Sequence, residues 1–258
     1  MQSGAIRPIP NMLPRKLFTS EHEAFRETVR KFYEKEVVPN IEKYEKQQHV
    51  DRDLWNKAGE LGLLCTTMPE QYGGSGVDRL YSMILIEEQA YAMDSSTGFS
   101  LHSDIVANYI NNFGNEEQKQ KWLPKMATGE TVTAIAMTEP GTGSDLQAVR
   151  TTAALDGDEY VINGSKIFIT NGYLCDMAIV VCKTGNNEKG SANLSLIIVE
   201  ADRAGFSKGK PLNKIGMKGQ DTCELFFDNV RVPKENLLGM QGMGFIMLMK
   251  ELAWERML

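Results

Sequence analysis

The spacing of apolar residues changes once along the chain, near Thr131. Before that point apolar residues recur every three to four positions, which is the period of an amphipathic helix. The first helix is predicted from Ser20, which forms a capping box with Glu23, to Pro39. Asn115 is a favourable N-cap for the last helix of this region. The later helices are predicted at RDLWNKAGELGLL, RLYSMILIEEQAYAM, DIVANYINNF and NEEQKQKWLPKM.

From Thr131 onwards the chain consists of short runs of β-branched and aromatic residues, which are typical of strands. Turn signals separate these runs, including Asp156-Gly157 and Asn163-Gly164. Short strands joined in this way predict an antiparallel sheet or barrel. The predicted strands are TVTAIAMT, VRTTAAL, EYVING, KIFITN, MAIVVCKT, LSLIIVEA and CELFFDNVRV.

A helical pattern returns from about Gly242 and lasts to the end of the sequence. Its predicted apolar stripe consists of Phe245, Leu248, Met249 and Leu252. No later element follows to cover that stripe, and a helix of this kind usually belongs to a larger helical layer. We therefore expect a fragment or a shortened isoform.

Composition narrows the class of protein. The 258 residues are 42% hydrophobic and 24% charged, which is typical of a folded protein with room for more than one domain. The net charge of −6 argues against general nucleic-acid binding, which needs a basic face. No apolar run approaches the ~20 residues of a membrane-spanning helix. The four cysteines lack CxxC spacing, so we expect a reducing compartment, no zinc site and no disulfide framework.

The first residues carry only positive charges. Arg7, Arg15 and Lys16 precede the first acidic residue, Glu21. This pattern resembles the tail of an organellar transit peptide, although prolines interrupt any long amphipathic helix. We therefore predict an N-terminal extension at 1–18 and consider a mitochondrial origin.

The stretch TEPGTGSDLQ, residues 138–147, directly follows a predicted strand. Its glycines permit close approach to backbone N–H groups, and Thr138 and Ser144 add hydroxyls. Such a turn suits a flat, polar-edged ligand or a phosphate, but it has neither the P-loop nor the dinucleotide pattern. A tight hairpin connection is the alternative. A second stretch, NGSKIFITNG at 163–172, would by itself be a plain hairpin arm.

Together these two stretches resemble the flavin-binding signature of the acyl-CoA dehydrogenases. The similarity covers nearly all of the chain after residue 17 and is strongest to the long-chain branch, through FSLHS and KELAWER. Further segments agree in order and spacing: VRKFYEKEVVP, LGLLCTTMPEQYGGSG, EEQAYA, GNEEQKQKWLPKMATGE, GMKGQDTCELFFDNVRVPKENLLG and GFIMLMKEL.

The resemblance implies an α+β fold class. It places a helical domain at 19–130, a middle antiparallel β-sheet or barrel domain at 131–236, and the first helix of a truncated C-terminal four-helix domain at 237–258. It also implies FAD as cofactor, acyl-CoA as substrate, an electron-transfer flavoprotein as partner, and a homotetramer in the full-length protein. The implied reaction is dehydrogenation of long-chain acyl-CoA to trans-2-enoyl-CoA in β-oxidation. The implied location is the mitochondrial matrix, or the cytoplasm if the protein is bacterial.

The resemblance assigns flavin contacts to two stretches, with Thr138 at the edge of the isoalloxazine ring. The first stretch consists of Ile135, Ala136, Met137, Thr138, Glu139, Pro140, Gly141, Thr142, Gly143 and Ser144. The second consists of Phe168, Ile169 and Thr170.

Substrate contacts implied by the resemblance lie in three places. Ser144 would touch the phosphate-bearing part of the acyl-CoA. Ile246 stands where related enzymes tend to carry tyrosine, which removes one ligand hydrogen bond. Ala253 and Trp254 depart from the usual Pro-Gln. The remaining contacts are Ser191, Ala192, Glu255 and Arg256.

The reaction needs a base for the α-proton, and a carboxylate serves when a dry pocket raises its pKa. Glu255 lies on the predicted apolar stripe, and Glu251 lies close to it, so periodicity alone does not choose between them. A solvated glutamate beside Arg256 is the ordinary alternative. The resemblance favours Glu255, because the long-chain and isovaleryl branches carry the base at this position.

Two further hypotheses remain at this point. The first is an acyl-CoA oxidase-like relative that uses oxygen directly. The second is a truncated, inactive isoform that acts as a binding or regulatory partner. We expect His102 to be structural.

Overall fold

The structure, a computed structural model, describes residues 15–185 and 193–258. A helical region precedes a β-sheet, and one further helix follows, in the predicted order. The sheet has eight strands, whereas seven were predicted. None of the described helices is both long and apolar enough to span a bilayer. The helices are α1 (Ser20–Phe32), α2 (Ile41–Gln47), α3 (Arg52–Glu60), α4 (Arg79–Tyr91), α5 (Ala107–Phe113), α6 (Glu116–Ala127) and α7 (Gly244–Glu255).

The N-cap of the first helix lies one residue earlier than predicted. Thr19, rather than Ser20, has the extended backbone of an N-cap, and its capping box is completed by His22. Pro39 does not end the helical path. It lies in the first turn of a short 3₁₀ segment, Val38–Asn40, where proline is tolerated, and the chain continues into α2.

A π-helical segment directly precedes α5. Leu101–Val106 is π-helical and continues directly into α5. Such π-helical turns are rare and occur frequently at functional sites. Asn115 caps α6 as predicted, accepting from the Gln118 N–H at 2.8 Å.

The sheet is mixed, and the prediction of an antiparallel sheet was therefore wrong in part. Most neighbouring strands are antiparallel, but β1 pairs with β4 in parallel from Thr133↔Met177 to Ala136↔Val180. Both strands are buried on both faces and form continuous apolar runs, which are typical of parallel pairing. The order is β6-β7-β3-β2-β4-β5-β8, with β1 beside β4. The strands are β1 (Thr133–Ala136), β2 (Thr152–Asp156), β3 (Glu159–Thr170), β4 (Met177–Lys183), β5 (Leu194–Glu200), β6 (Phe206–Lys208), β7 (Thr222–Pro233) and β8 (Leu237–Leu238).

One predicted turn is a bulge. The Asp156-Gly157 signal does join β2 to β3, but Asn163-Gly164 lies inside β3, where the register against β7 shifts. Gly164 has a φ of 149°, and a Cβ there would lie 2.5 Å from the Thr151 hydroxyl. The glycine therefore permits a bulge and a close approach, and EYVING and KIFITN form one strand.

The buried face of α7 is rotated relative to the predicted stripe. Leu248 is buried as predicted, but Met249 is exposed, and Phe245 and Leu252 are half-buried. Gly244 lies against β5, where a Cβ would come within 2.7 Å of the Leu194 carbonyl oxygen, and this contact fixes the rotation. The residues that α7 buries are Gly244, Met247, Leu248 and Glu251.

Candidate active site

The stretch at 138–147, called here the ligand turn, follows β1, which ends at Ala136. Its backbone closes at Glu139 and Thr142, whose N–H and carbonyl groups exchange hydrogen bonds of 2.9 and 3.0 Å. Gly141 and Gly143 are exposed, and a Cβ at either position would meet nothing within 4 Å. The outer side of the turn is therefore open to a ligand.

A buried ion pair holds the inner side of the turn. Lys166 of β3 is completely buried, and its Nζ donates to the Met137 carbonyl at 3.0 Å and to Glu139 Oε1 at 2.9 Å. Glu139 also accepts from the Thr151 hydroxyl and from the Thr151 and Arg150 N–H groups. Burial alone raises the pKa of Glu139, but these hydrogen bonds and the Lys166 charge outweigh burial and lower the pKa. The Glu139 carboxylate is thus engaged by the protein itself.

The second predicted segment lies directly beside the first. The Ile167 N–H donates to the Thr138 carbonyl at 3.0 Å. Phe168 follows with a φ of 60°, which is uncommon for a bulky residue, and it is 63% exposed. Strained backbone of this kind often occurs at ligand sites.

One polar atom of the turn has no protein partner. The Thr142 hydroxyl is buried and makes no hydrogen bond with any described residue. Buried hydroxyls are normally satisfied, so a partner from outside the chain fits this position. Thr138 and Thr170 add half-buried hydroxyls, and Ser144 adds an exposed one.

The other predicted contacts differ in accessibility. The side chains of Ala136 and Ile169 lie in the core of the sheet, so only their backbone could meet a ligand. Ile135 is also buried, whereas Pro140 is exposed. Ile246, Ala253 and Arg256 are exposed on α7 or at its end. Two predicted positions lie outside the described residues: Ser191 and Ala192.

Two carboxylates, one turn apart on α7, face α5. The Tyr109 hydroxyl donates to Oε1 of half-buried Glu255 at 2.6 Å. Asn112 Nδ2 donates to Oε1 of buried Glu251 at 2.8 Å. Burial raises the pKa of Glu255 and the Glu251 charge raises it further, although the Tyr109 hydroxyl and Arg256 oppose the rise. A carboxylate with a raised pKa is suited to accept a proton.

Sequence reasoning missed Tyr109. It is completely buried on α5 and lies 146 positions from Glu255, so no local pattern joins the two. The sequence signal that could have indicated Tyr109 is a tyrosine on an apolar helix face. A tyrosine hydroxyl that is buried there must find a hydrogen-bond partner. Burial and the Glu255 contact raise the pKa of Tyr109 above its usual range, so the hydroxyl acts as a donor.

Trp254 anchors the last turn of α7. Its indole Nε1 donates to the Asp104 carbonyl at 3.0 Å, and the Arg79 guanidinium lies 4.0 Å from the ring centroid. The Asp104 carboxyl accepts from the Ser82 hydroxyl at 2.5 Å, and burial raises its pKa to about 6. The indole N–H is thus bonded within the protein.

His102 is structural, as expected. It is completely buried, its Nε2 donates to the Met126 carbonyl at 3.0 Å, and its Nδ1 accepts from the Thr133 N–H and hydroxyl. Burial lowers the pKa of His102 to about 4, so the ring is neutral near pH 7. Both ring nitrogens are used inside the protein.

The cysteines offer no reactive thiol. All four are buried, and burial raises the pKa values of Cys65, Cys175 and Cys182 to about 12. Within 15–185 and 193–258 the four thiols are unpaired, and no group of three or more His, Cys, Asp or Glu side chains could hold a metal ion.

The ligand turn and α7 border one hydrophobic cluster. Ile135, Tyr109 and Leu248 are buried in it, and Met137 packs against it. No hydrogen bond between described residues joins Glu255 to the turn. The structure therefore brings the two halves of the predicted site to the same apolar region without direct contact between their polar groups.

Comparisons with known proteins place this chain in one family. The family model described as "Acyl-CoA dehydrogenase, N-terminal domain" matches residues 19–130, and "Acyl-CoA dehydrogenase, middle domain" matches residues 134–230. The chain belongs to the acyl-CoA dehydrogenase family. Within it, the chain is similar to the mitochondrial long-chain specific acyl-CoA dehydrogenase of Rattus norvegicus, with 52% identity over all of this chain and 60% of the relative.

Solved structures agree with that similarity. An acyl-CoA dehydrogenase from Geobacillus kaustophilus superposes with a TM-score of 0.92 at 49% identity, covering 94% of this chain and 64% of that one. An acyl-CoA dehydrogenase from Bacillus anthracis, complexed with FAD, superposes with a TM-score of 0.86 at 38% identity, covering 98% and 45%. The chain spans about 60% of the length of the long-chain relatives that it matches.

Proposed function

We propose that this chain acts in the FAD-dependent dehydrogenation of long-chain acyl-CoA to trans-2-enoyl-CoA, with Glu255 as the base. The observation that carries the proposal is the Glu255 carboxylate, which is half-buried, has a raised pKa and borders the cluster that contains Ile135. The similarity to the rat long-chain enzyme extends over the whole chain and supports the choice of branch.

The ligand turn fits FAD. Its outer side is open at Gly141 and Gly143, and the buried Thr142 hydroxyl lacks a partner among the described residues. Exposed Phe168 beside Thr138 offers a flat apolar surface next to a polar edge. The FAD complex of the similar Bacillus anthracis protein supports this assignment. Ile135–Ser144 and Phe168–Thr170 would hold the cofactor.

The base acts on a proton that is acidic only when the thioester carbonyl is polarised. Among the described residues, the Glu255 carboxylate is bonded through Oε1 to Tyr109, which leaves Oε2 to accept the α-proton. Partial burial limits competing water and raises the pKa of Glu255 toward working pH. FAD, when bound, supplies the acceptor for the hydride that leaves the β-carbon.

The remaining substrate contacts are proposed from similarity. Ile246, Ala253 and Arg256 are exposed and accessible to a ligand. Ser144, on the open side of the turn, would touch the phosphate-bearing part of the acyl-CoA. We further infer a location in the mitochondrial matrix, which the names of the mitochondrial relatives support. Electron transfer to an electron-transfer flavoprotein and a homotetrameric assembly are inferred from the family resemblance.

The test is anaerobic reduction of the FAD-loaded chain by saturated acyl-CoA thioesters. We expect a long-chain thioester to bleach the oxidised-flavin absorbance and to yield the trans-2-enoyl-CoA by mass spectrometry. Butyryl- and isovaleryl-CoA serve as short and branched comparisons, and they should react more slowly. Binding of both FAD and long-chain acyl-CoA without bleaching would contradict the proposal. Rapid reoxidation by air with product still bound would favour an oxidase instead.

A further inference from the structure

Two donors of α5 match two acceptors of α7. Tyr109 and Asn112 lie three positions apart on one helix, and Glu251 and Glu255 lie four positions apart on the other. Positions three or four apart fall on one helix face, so the two pairs form parallel rungs between the helices. The rungs measure 2.6 Å for Tyr109–Glu255 and 2.8 Å for Asn112–Glu251.

The rungs differ in burial. Glu251 is only 7% exposed, whereas Glu255 is half-buried. A substrate can therefore reach Glu255 more easily than Glu251. Tyr109 is completely buried, so its hydroxyl cannot exchange its carboxylate partner for bulk water.

A third contact fixes the turn between the two carboxylates. The Trp254 indole is bonded to the Asp104 carbonyl of the π-helical segment and is covered by Arg79 of α4. The same Asp104 carbonyl accepts from Asn108 Nδ2 at 2.5 Å. The last turn of α7 is thus held by α4, α5 and the π-helical segment, which leaves Glu255 little freedom to rotate away.

We propose that Tyr109 and Asn112 are positioning residues: Tyr109 aims the Glu255 carboxylate, and Asn112 keeps Glu251 in place as a fixed neighbouring charge. This inference rests on the proposed function, in which Glu255 is the base. It adds two residues that act through the carboxylates that they bind.

The two rungs have opposite effects on the pKa of the Glu255 carboxyl. A donor to the ionised carboxylate stabilises it, whereas a second negative charge nearby disfavours it. The charged and titratable groups that face Glu255 are Glu251 on α7, Arg256 just after α7, and Tyr109 on α5. Asp104 of the π-helical segment and Arg79 of α4 lie beyond Trp254.

The experiment compares Tyr109→Phe and Glu251→Gln in the FAD-loaded chain. The Glu255 carboxyl is titrated by infrared spectroscopy with ¹³C-labelled glutamate, and its band is assigned by difference from Glu255→Gln. We expect Tyr109→Phe to raise the Glu255 pKa and Glu251→Gln to lower it. Tyr109→Phe should also slow flavin reduction by about tenfold without changing FAD content, because a mispositioned base loses rate.

The matched control is Tyr160→Phe, because Tyr160 is another buried tyrosine whose hydroxyl donates to a side chain, Gln241, at 3.3 Å. It should change neither the Glu255 titration nor the rate. Unchanged Glu255 titration in both test variants, or shifts in the same direction, would overturn the inference. If the two variants shift the Glu255 titration in opposite directions but the wild-type chain never reduces flavin, the two rungs are supported. That result would count against the proposed function alone.

Discussion

At the scale of single residues, the Lys166–Glu139 pair shows how the ligand turn is held. Both side chains are buried, and Glu139 ties together the turn, β3 and the start of β2. Neither residue stands out by pattern, since Lys166 follows the polar run Asn163–Ser165 within β3 and Glu139 lies in a glycine-rich turn. The pair could not be predicted because nothing local to either residue marks it as buried.

Replacing Lys166 should be costly. Lys166→Met leaves the Glu139 carboxylate buried and unpaired, which typically lowers the free energy of unfolding by about 3–5 kcal/mol. The double variant Lys166→Met with Glu139→Gln should recover part of that loss. Urea denaturation followed by circular dichroism measures both. As a control, Lys234→Met removes an exposed ion pair and should leave stability nearly unchanged. Equal losses for Lys166→Met and Lys234→Met would show that the buried pair has no special role.

His102 gives a prediction about pH. Its folded pKa of about 4 lies below the unfolded value near 6.5, so the unfolded chain binds the extra proton first as pH falls. The contribution of neutral His102 to the free energy of unfolding is therefore complete above about pH 6.5. It is lost as pH falls toward 4, by about 3 kcal/mol at most. The difference in unfolding free energy between wild type and His102→Asn should shrink over that window. Parallel pH curves for the two proteins would contradict this account.

At the scale of elements, helix and strand order followed from periodicity, while pairing and rotation did not. Asn-Gly is a strong hairpin signal, yet Asn163-Gly164 forms a bulge because Thr151 packs where a Cβ would stand. The rotation of α7 depends on the close approach of Gly244 to β5. Both features depend on residues from another element, so the local sequence does not contain them.

Gly244 therefore provides a test of the α7 packing. Gly244→Ala should lower the free energy of unfolding by about 1–3 kcal/mol, although alanine favours helices, because its Cβ would collide with the Leu194 carbonyl. Hydrogen exchange should also show weaker protection along α7. Gly216→Ala is the control, since a Cβ there meets nothing within 4 Å. Stabilisation by Gly244→Ala would mean that α7 does not rest on β5 as described.

At the scale of the whole molecule, the site is assembled from segments that are distant in sequence. The resemblance led to the proposed flavin turn and the proposed base, because both lie in short characteristic stretches. It did not reveal Tyr109 or Lys166, whose partners are reached only through the fold. The shared cluster around Ile135 and Leu248 explains how the turn and α7 come to border one apolar region.

The identity of the base is the central claim, and anaerobic flavin reduction by a long-chain acyl-CoA tests it most directly. The comparison is between wild type, Glu255→Gln and Glu251→Gln, each checked for FAD content and acyl-CoA binding. Glutamine keeps the shape of Glu255 but cannot take the α-proton, so Glu255→Gln should reduce flavin at least ~100-fold more slowly. Glu251→Gln should retain most of the wild-type rate. Wild-type bleaching in Glu255→Gln, whether or not Glu251→Gln is impaired, would contradict the account.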